Sequence, residues 1–237
     1  MPPSEDSDSS PVDSDTLPGP GPDSNPYVDA EAAADRTAET GPLFDAEYRP
    51  GESGADAGLV AGSPEDPVLV AGVGYPLLGD LAIGTVVAYR IAALDLPGVA
   101  VADCSNTPVA AYQTISEGDY QTLVLVGAEK RGGELNDGTP SETPGAVHEY
   151  DGDAFDVPSE QLADLVGESA MGSNTVENVL VVTRTLGDLP EDTHVLTVEP
   201  GYDSWGMTVD EFTDPVAAVL DDVIERVRRN ATATEAT

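Results

Sequence analysis

Four apolar runs set the terms for this chain: PVLVAGVG (67–74), GVAVADC (98–104), QTLVLVGA (121–128) and THVLTVEP (193–200). Each is strand length and bounded by turn residues. QTLVLVGA is apolar throughout, so a strand formed from it needs cover on both faces, which is the environment of a parallel sheet. Between the runs the period changes to that of helices. GDLAIGTVVAYRIAAL (79–94), VAAYQTIS (109–116, started by Thr107 and Pro108), SEQLADLVGES (159–169), TVENVLVVTRTLG (175–187) and DPVAAVLDDVIERVRR (214–229) all read this way. In the last, Asp214 and Pro215 supply an N-cap and first helical position, and Val216, Val219, Leu220, Val223 and Val227 form one apolar face. GAVHEYD (145–151) alternates and reads as a shorter strand. Strands alternating with helices predict a three-layer α/β domain over residues 66–229, a mostly parallel twisted sheet between helices. Its length of about 160 residues suffices for one sizeable core.

Residues 1–65 differ in kind. They are rich in Pro, Gly, Ser, Asp and Glu and poor in large apolar side chains. Such a segment buries too little surface to offset its ordering entropy, so it is expected to be a disordered acidic tail. Two pieces stand out within it: DAEAAADRTAE, compatible with a short helix, and LFDAEYRP, compatible with a docking patch. Residues 230–237 are expected to be a second, short tail.

The chain carries 45 acidic and 9 basic residues, and Lys130 is its single lysine. An acidic, lysine-poor surface suits very high salt, where a Debye length of about 3 Å screens like-charge repulsion. Nucleic acid is a poor partner for it, because phosphate contacts need clustered Lys and Arg. The RVRR near the C-terminus complements a helix dipole. The single cysteine, Cys104, rules out an intramolecular disulfide and a cysteine zinc cluster. No apolar stretch approaches the roughly 20 residues of a membrane span. The first residues, MPPSEDSDSSPVDSDTLPGPGPDSNP, have neither a charged nor an apolar signal region. A cytoplasmic location is therefore expected.

The Gly-rich turn after the first apolar run, GVGYPLLGDLAIG (72–84), invites a nucleotide reading that fails on spacing. Gly72 and Gly74 are followed by Tyr75, Pro76, Leu77 and Leu78 before Gly79, not by the third glycine of a dinucleotide fingerprint. Gly79 is followed by Asp80 and Leu81, not by the Lys-Ser/Thr of a P-loop. No nucleophile stands out either. Cys104 has no neighbouring base and reads as a small core residue, and Ser105, Ser173 and Ser204 have no evident base in sequence.

From residue 67 to about 228 the sequence resembles the hydrogenase maturation endopeptidase family. GVGYPLLGDLAIG resembles that family's opening turn, Gly-x-Gly-Asn-x-Leu-x-x-Asp-Glu/Asp-Gly-x-Gly. VADCSNTP stands where the family has a strand ending in Asp followed by Gly-Gly-Thr. TLVLVGAEKRGG stands where it has an apolar strand ending in Asp-Ala. PGAVHEYD resembles Pro-Gly-Thr-Val-His, and VLTVEPGYDSWGMTVD resembles Val-x-Pro-Glu-x-x-x-x-Gly-Leu-Thr. The pieces occur in the family's order and spacing.

The resemblance implies an α/β fold and cleavage of a C-terminal peptide from the large subunit of nickel–iron hydrogenase. It also implies three nickel-sensing residues: an acid in the opening turn, an Asp ending the third strand, and a His at the start of a later helix. Two carboxylates and an imidazole suit a transition metal. This chain departs at all three, with Leu81, Gly127 and, near Gly172, no histidine. Its histidines, His148 and His194, lie in strand patterns elsewhere. A replacement cleft would draw on Gly74, Tyr75, Asp80, Asp103 and Glu129 at the strand ends, where open α/β sheets bind ligands. Three such carboxylates suit a hard cation such as magnesium, although among 45 acids chance convergence is common and ordinary surface roles are expected. The reading that follows is a divergent member without metal-dependent peptidase activity or cofactor, acting as a binding or assembly-assisting module. The alternative is an active endopeptidase that uses relocated ligands for nickel or another divalent cation on a hydrogenase large subunit or other metalloenzyme precursor.

Overall fold

A computed structural model describes residues 58–75, 78–131, 141–152, 174–201 and 211–233. The elements in chain order are β1 (Leu59–Ala61), β2 (Val68–Gly72), a 3-10 turn (Gly79–Ala82), α1 (Ile83–Ala92), β3 (Val99–Asp103), α2 (Pro108–Glu117), β4 (Thr122–Ala128), β5 (Val147–Asp151), α3 (Val176–Leu186), β6 (Asp192–Val198), α4 (Asp214–Ala217) and α5 (Leu220–Thr232). The expected helix over 159–169 lies outside the described residues.

The strands form one six-stranded sheet in the order β1-β3-β2-β4-β6-β5. Its four central strands are parallel, and both edge strands pair antiparallel. Burial follows this plan. Every residue of β2 and β4 is buried, whereas β5, at the edge, has only half-buried and exposed residues. Successive residues of β2 face opposite layers. Val68 and Val70 join Val124, Val126 and Leu196 against Ile83, Val87 and Ile91 of α1 and Val223 and Val227 of α5. Leu69 and Ala71 join Leu123, Leu125 and Val195 against Ala111 and Ile115 of α2 and Val179 and Leu180 of α3. The result is the expected three-layer α/β architecture. Among the described residues, no helix is long and apolar enough to cross a membrane.

Helix starts are encoded locally. The Thr107 hydroxyl accepts from Ala110 N at 3.1 Å, with Pro108 behind it. Thr175 does the same for Asn178 N at 3.1 Å. The structure differs from the sequence reading in four respects. The folded chain begins before residue 66, because β1 pairs with β3 inside the stretch assigned to the tail. The last helix continues through Asn230 to Thr232, beyond the expected boundary at 229. That helix is also divided. Val219 N donates to Val216 O at 3.2 Å, a tighter i→i+3 closure that separates α4 from α5. The N-cap of α4 is Thr213 rather than Asp214, and its side chain makes no cap bond because it is engaged elsewhere.

Candidate functional site

The opening turn is built for close packing. A Cβ on Gly72 would run into the backbone of Gly84, and one on Gly84 into the backbone of Val73 and Val126. Glycine at both positions lets α1 lie directly against β2 and β4. The turn then folds back, with Tyr75 N donating to Leu81 O at 2.9 Å and Gly74 N to Ser105 Oγ at 3.2 Å. These glycines serve helix-to-strand contact, which agrees with the failure of the nucleotide spacing.

Asp80 is completely buried. Its Oδ2 accepts from Gly201 N at 2.7 Å and from Thr213 Oγ1 at 2.7 Å, and its Oδ1 accepts from Thr213 N at 2.8 Å. Both oxygens are engaged in joining the turn to the chain on either side of segment 202–210. A buried carboxylate needs donors of this kind to offset its desolvation.

Asp103 ends β3 in a half-buried position, and its Oδ1 accepts from Ser105 N at 3.1 Å. Burial raises the Asp103 carboxyl above its ordinary range, and the bonds from Ser105 offset this in part. Ser105 Oγ also lies 2.7 Å from Thr85 Oγ1. Next to it, Asn174 N donates to the Tyr75 hydroxyl at 2.6 Å and Asn174 Nδ2 to Cys104 O at 2.8 Å. Gly74, Tyr75 and Asp103 therefore do meet, at the carboxyl ends of β2 and β3, in a cluster of mostly neutral polar groups. Burial, followed by the charge of Asp103, pushes the Cys104 thiol up to about 12, which makes it a poor nucleophile.

Glu129 belongs to a different network. Its Oε2 accepts from the Tyr150 hydroxyl at 3.1 Å and from Thr197 Oγ1 at 2.7 Å, and Arg131 Nε lies 4.0 Å from its Oε1. Burial and the charge of Glu129 push the Tyr150 phenol well above its ordinary value. Asp80, Asp103 and Glu129 thus answer to three separate sets of partners. Among the described residues, no group of three or more His, Cys, Asp or Glu side chains could hold a metal ion.

Two residues escaped the sequence reading. Glu199 is 2% exposed, and its Oε1 accepts from Thr143 Oγ1 at 3.0 Å and lies 3.0 Å from His148 Nε2. The signal for this pair is the β5–β6 register, which sets His148 opposite Thr197, and no local pattern announces it. Asn174 was equally silent, since a single amide in a polar stretch carries no periodicity. His194 lies 3.1 Å from Asp192 and 3.9 Å from Asp151, at the other end of β6.

The positions that the resemblance assigns to metal contact are differently used. Leu81 is wholly buried in the core beside α1. At Gly127 a Cβ would stand 2.5 Å from Val176 Cγ2 and 2.8 Å from Val73 O, so the structure leaves no room for a side chain. The third position, near Gly172, lies outside the described residues. An aliphatic side chain and a sealed glycine offer a transition metal no donor, so these two positions do not fit nickel.

No protein-family model matches the sequence, and no curated protein matches it significantly. Several solved chains resemble the structure. The NiFe hydrogenase maturation protease HycI from Thermococcus kodakarensis KOD1 aligns at 19% identity and a TM-score of 0.48 over 71% of this chain and 94% of its own. An endopeptidase from Escherichia coli aligns at 21% identity and 0.49 over 70% and 93%. The hydrogenase maturating endopeptidase HybD from Escherichia coli aligns at 17% identity and 0.46 over 68% and 88%. Resemblances of this size leave the activity of the present chain to be argued from its own residues.

Proposed function

We propose that this chain is a divergent relative of the hydrogenase maturation endopeptidases that keeps the scaffold without the metal-dependent peptidase site, and that it works as a binding or assembly-assisting protein. The observation that carries the reading is the sealed position at Gly127. A lost ligand leaves a hole that one substitution can refill, whereas here Val176 of α3 and the backbone of Val73, just past β2, occupy the space. Leu81, committed to the core, points the same way, as does Asp80, committed to Gly201 and Thr213. The five sequence pieces that carry the resemblance support the relationship; in this chain they begin at the turn after β2, the end of β3, β4, the entry to β5, and the end of β6. A cytoplasmic setting of high salt accounts for the excess of acids and the near absence of lysine. A hydrogenase large subunit, or another metalloenzyme precursor, is the partner that the relationship suggests.

The test is calorimetric titration with nickel in multimolar potassium chloride, which competes away diffuse binding to surface acids, alongside incubation with a nickel-loaded hydrogenase large-subunit precursor. No stoichiometric binding and no removal of the precursor's C-terminal peptide are expected. A one-to-one site of micromolar affinity, lost on changing Asp103 or Glu129 to Ala, would overturn the proposal in favour of relocated ligands.

A further inference from the structure

At the end of the sheet opposite the strand-end cluster lies a cavity of about 220 Å³. Its apolar wall includes Ala61, Ile91, Leu96 and Val99, and its rim carries the carboxyl-bearing Asp66 and Asp95. Leu94, beside it, is 47% exposed. The cavity is too small for a cofactor and is scaled to one or two side chains.

The sequence holds a segment that suits it. LFDAEYRP places Leu43, Phe44 and Tyr48 within six residues and follows them with Arg49. Arg36 and Arg49 are the basic residues of the first 57, so Arg49 is rare in its surroundings. Residues 50–57, PGESGADA, contain no large apolar side chain. The described chain starts at Gly58 and runs through β1 to Ala61 and Gly62, which themselves line the cavity. Nine residues from Arg49 to Gly58 span up to about 30 Å when extended, three times the length of β1 at roughly 3.3 Å per residue. A short flexible tether gives an effective concentration of about millimolar, so a weak contact is enough to fill the site.

We infer that residues 43–49 dock in cis into the cavity between β1, the end of α1 and the start of β3, with Leu43 or Phe44 on the apolar wall and Arg49 at Asp66 and Asp95. Leu43 and Phe44 match the apolar floor and Arg49 the acids Asp66 and Asp95, with Asp45 and Glu47 left facing solvent, and the short tether favours this segment over a partner protein or a second copy.

Hydrogen exchange with mass spectrometry on the full chain, in multimolar potassium chloride, tests it. Amides of residues 43–49 should exchange at least roughly tenfold more slowly than those of residues 20–30. Phe44→Ser, Arg49→Glu and the cavity-filling Ala92→Leu should each remove that difference while the amides of β4 stay protected. Equal exchange in the two tail segments would overturn the inference. So would protection that survives Ala92→Leu in a folded domain, which would place the segment elsewhere. Protection that fades on dilution would assign the cavity to a second copy and overturn docking in cis. If Ala92→Leu disturbs folding, the two tail variants decide the matter, since neither changes a residue of the cavity wall.

Discussion

Asp80 Oδ1 and the backbone nitrogen of Thr213 lie 2.8 Å apart across 133 positions of sequence. The same carboxylate holds Gly201 N at 2.7 Å, so one buried side chain fastens the turn after β2 to both flanks of segment 202–210. Asp80→Ala leaves two backbone donors short of their acceptor, at about 1–3 kcal/mol for each group to the extent that it is buried. A loss of about 2–4 kcal/mol is expected, read as a lower denaturant midpoint with an unchanged slope. A loss under about 0.5 kcal/mol would show that water replaces the carboxylate.

Gly127→Ala tests how firmly the strand end is sealed. The added methyl meets Val176 Cγ2 at 2.5 Å and Val73 O at 2.8 Å, an overpacking that costs about 1–3 kcal/mol. Val176→Ala in the same chain should recover part of the loss, because it removes the nearer obstacle and leaves the backbone one. A double-mutant cycle measures the coupling. Additive effects would mean that the two residues do not press on each other.

The raised carboxyl of Asp103 makes a signed prediction about pH. Burial raises it, so the folded state holds this proton more tightly than the unfolded chain does. Stability contributed by the group is therefore lost as pH rises through the carboxylate range, and it stays lost at neutral pH. Asp103→Asn keeps an acceptor for Ser105 N and removes that penalty. It should be more stable than the wild type at pH 7, with the difference vanishing in acid. A variant less stable at pH 7 would show that the Ser105 bonds outweigh desolvation.

Cys104 should be chemically silent. With its thiol pushed up to about 12 by burial and Asp103, only about one molecule in ten thousand is a thiolate at pH 8. Iodoacetamide should label the native protein at least about a hundredfold more slowly than the denatured chain. Comparable rates would place the sulfur at an open surface.

The high-salt reading predicts a steep response to potassium chloride. Self-repulsion among 45 acids opposed by 9 bases is greatest at low ionic strength. Screening it by a few kcal/mol raises Tm by about 10 °C or more in a domain of this size. A flat Tm from low to multimolar salt would remove the basis for the reading.

The α/β class, the parallel centre of the sheet and most element positions were legible in the chain itself. Leu69 and Val70, and likewise Leu123 and Val124, face opposite helical layers, and a strand covered on both faces has no polar positions to obscure it. The start of α2 was legible because Thr107 bonds three residues away ahead of Pro108, whereas the same role of Thr175 at α3 appeared only in the structure. Leu81 and Gly127 were singled out by the family resemblance, not by periodicity or spacing. Sequence alone could not supply β1, three residues whose strand character exists through pairing with β3 some forty positions later. Nor could it foresee the fates of Asp80, Asp103 and Glu129. They look alike as acids, but Asp80 is enclosed by Gly201 and Thr213, Asp103 is dehydrated beside Ser105, and Glu129 is bound by Tyr150 and Thr197. Periodicity reports what a residue shares with near neighbours along the chain. Burial and donor supply are set by residues that meet only when the sheet closes, and those decided which carboxylates became part of the framework.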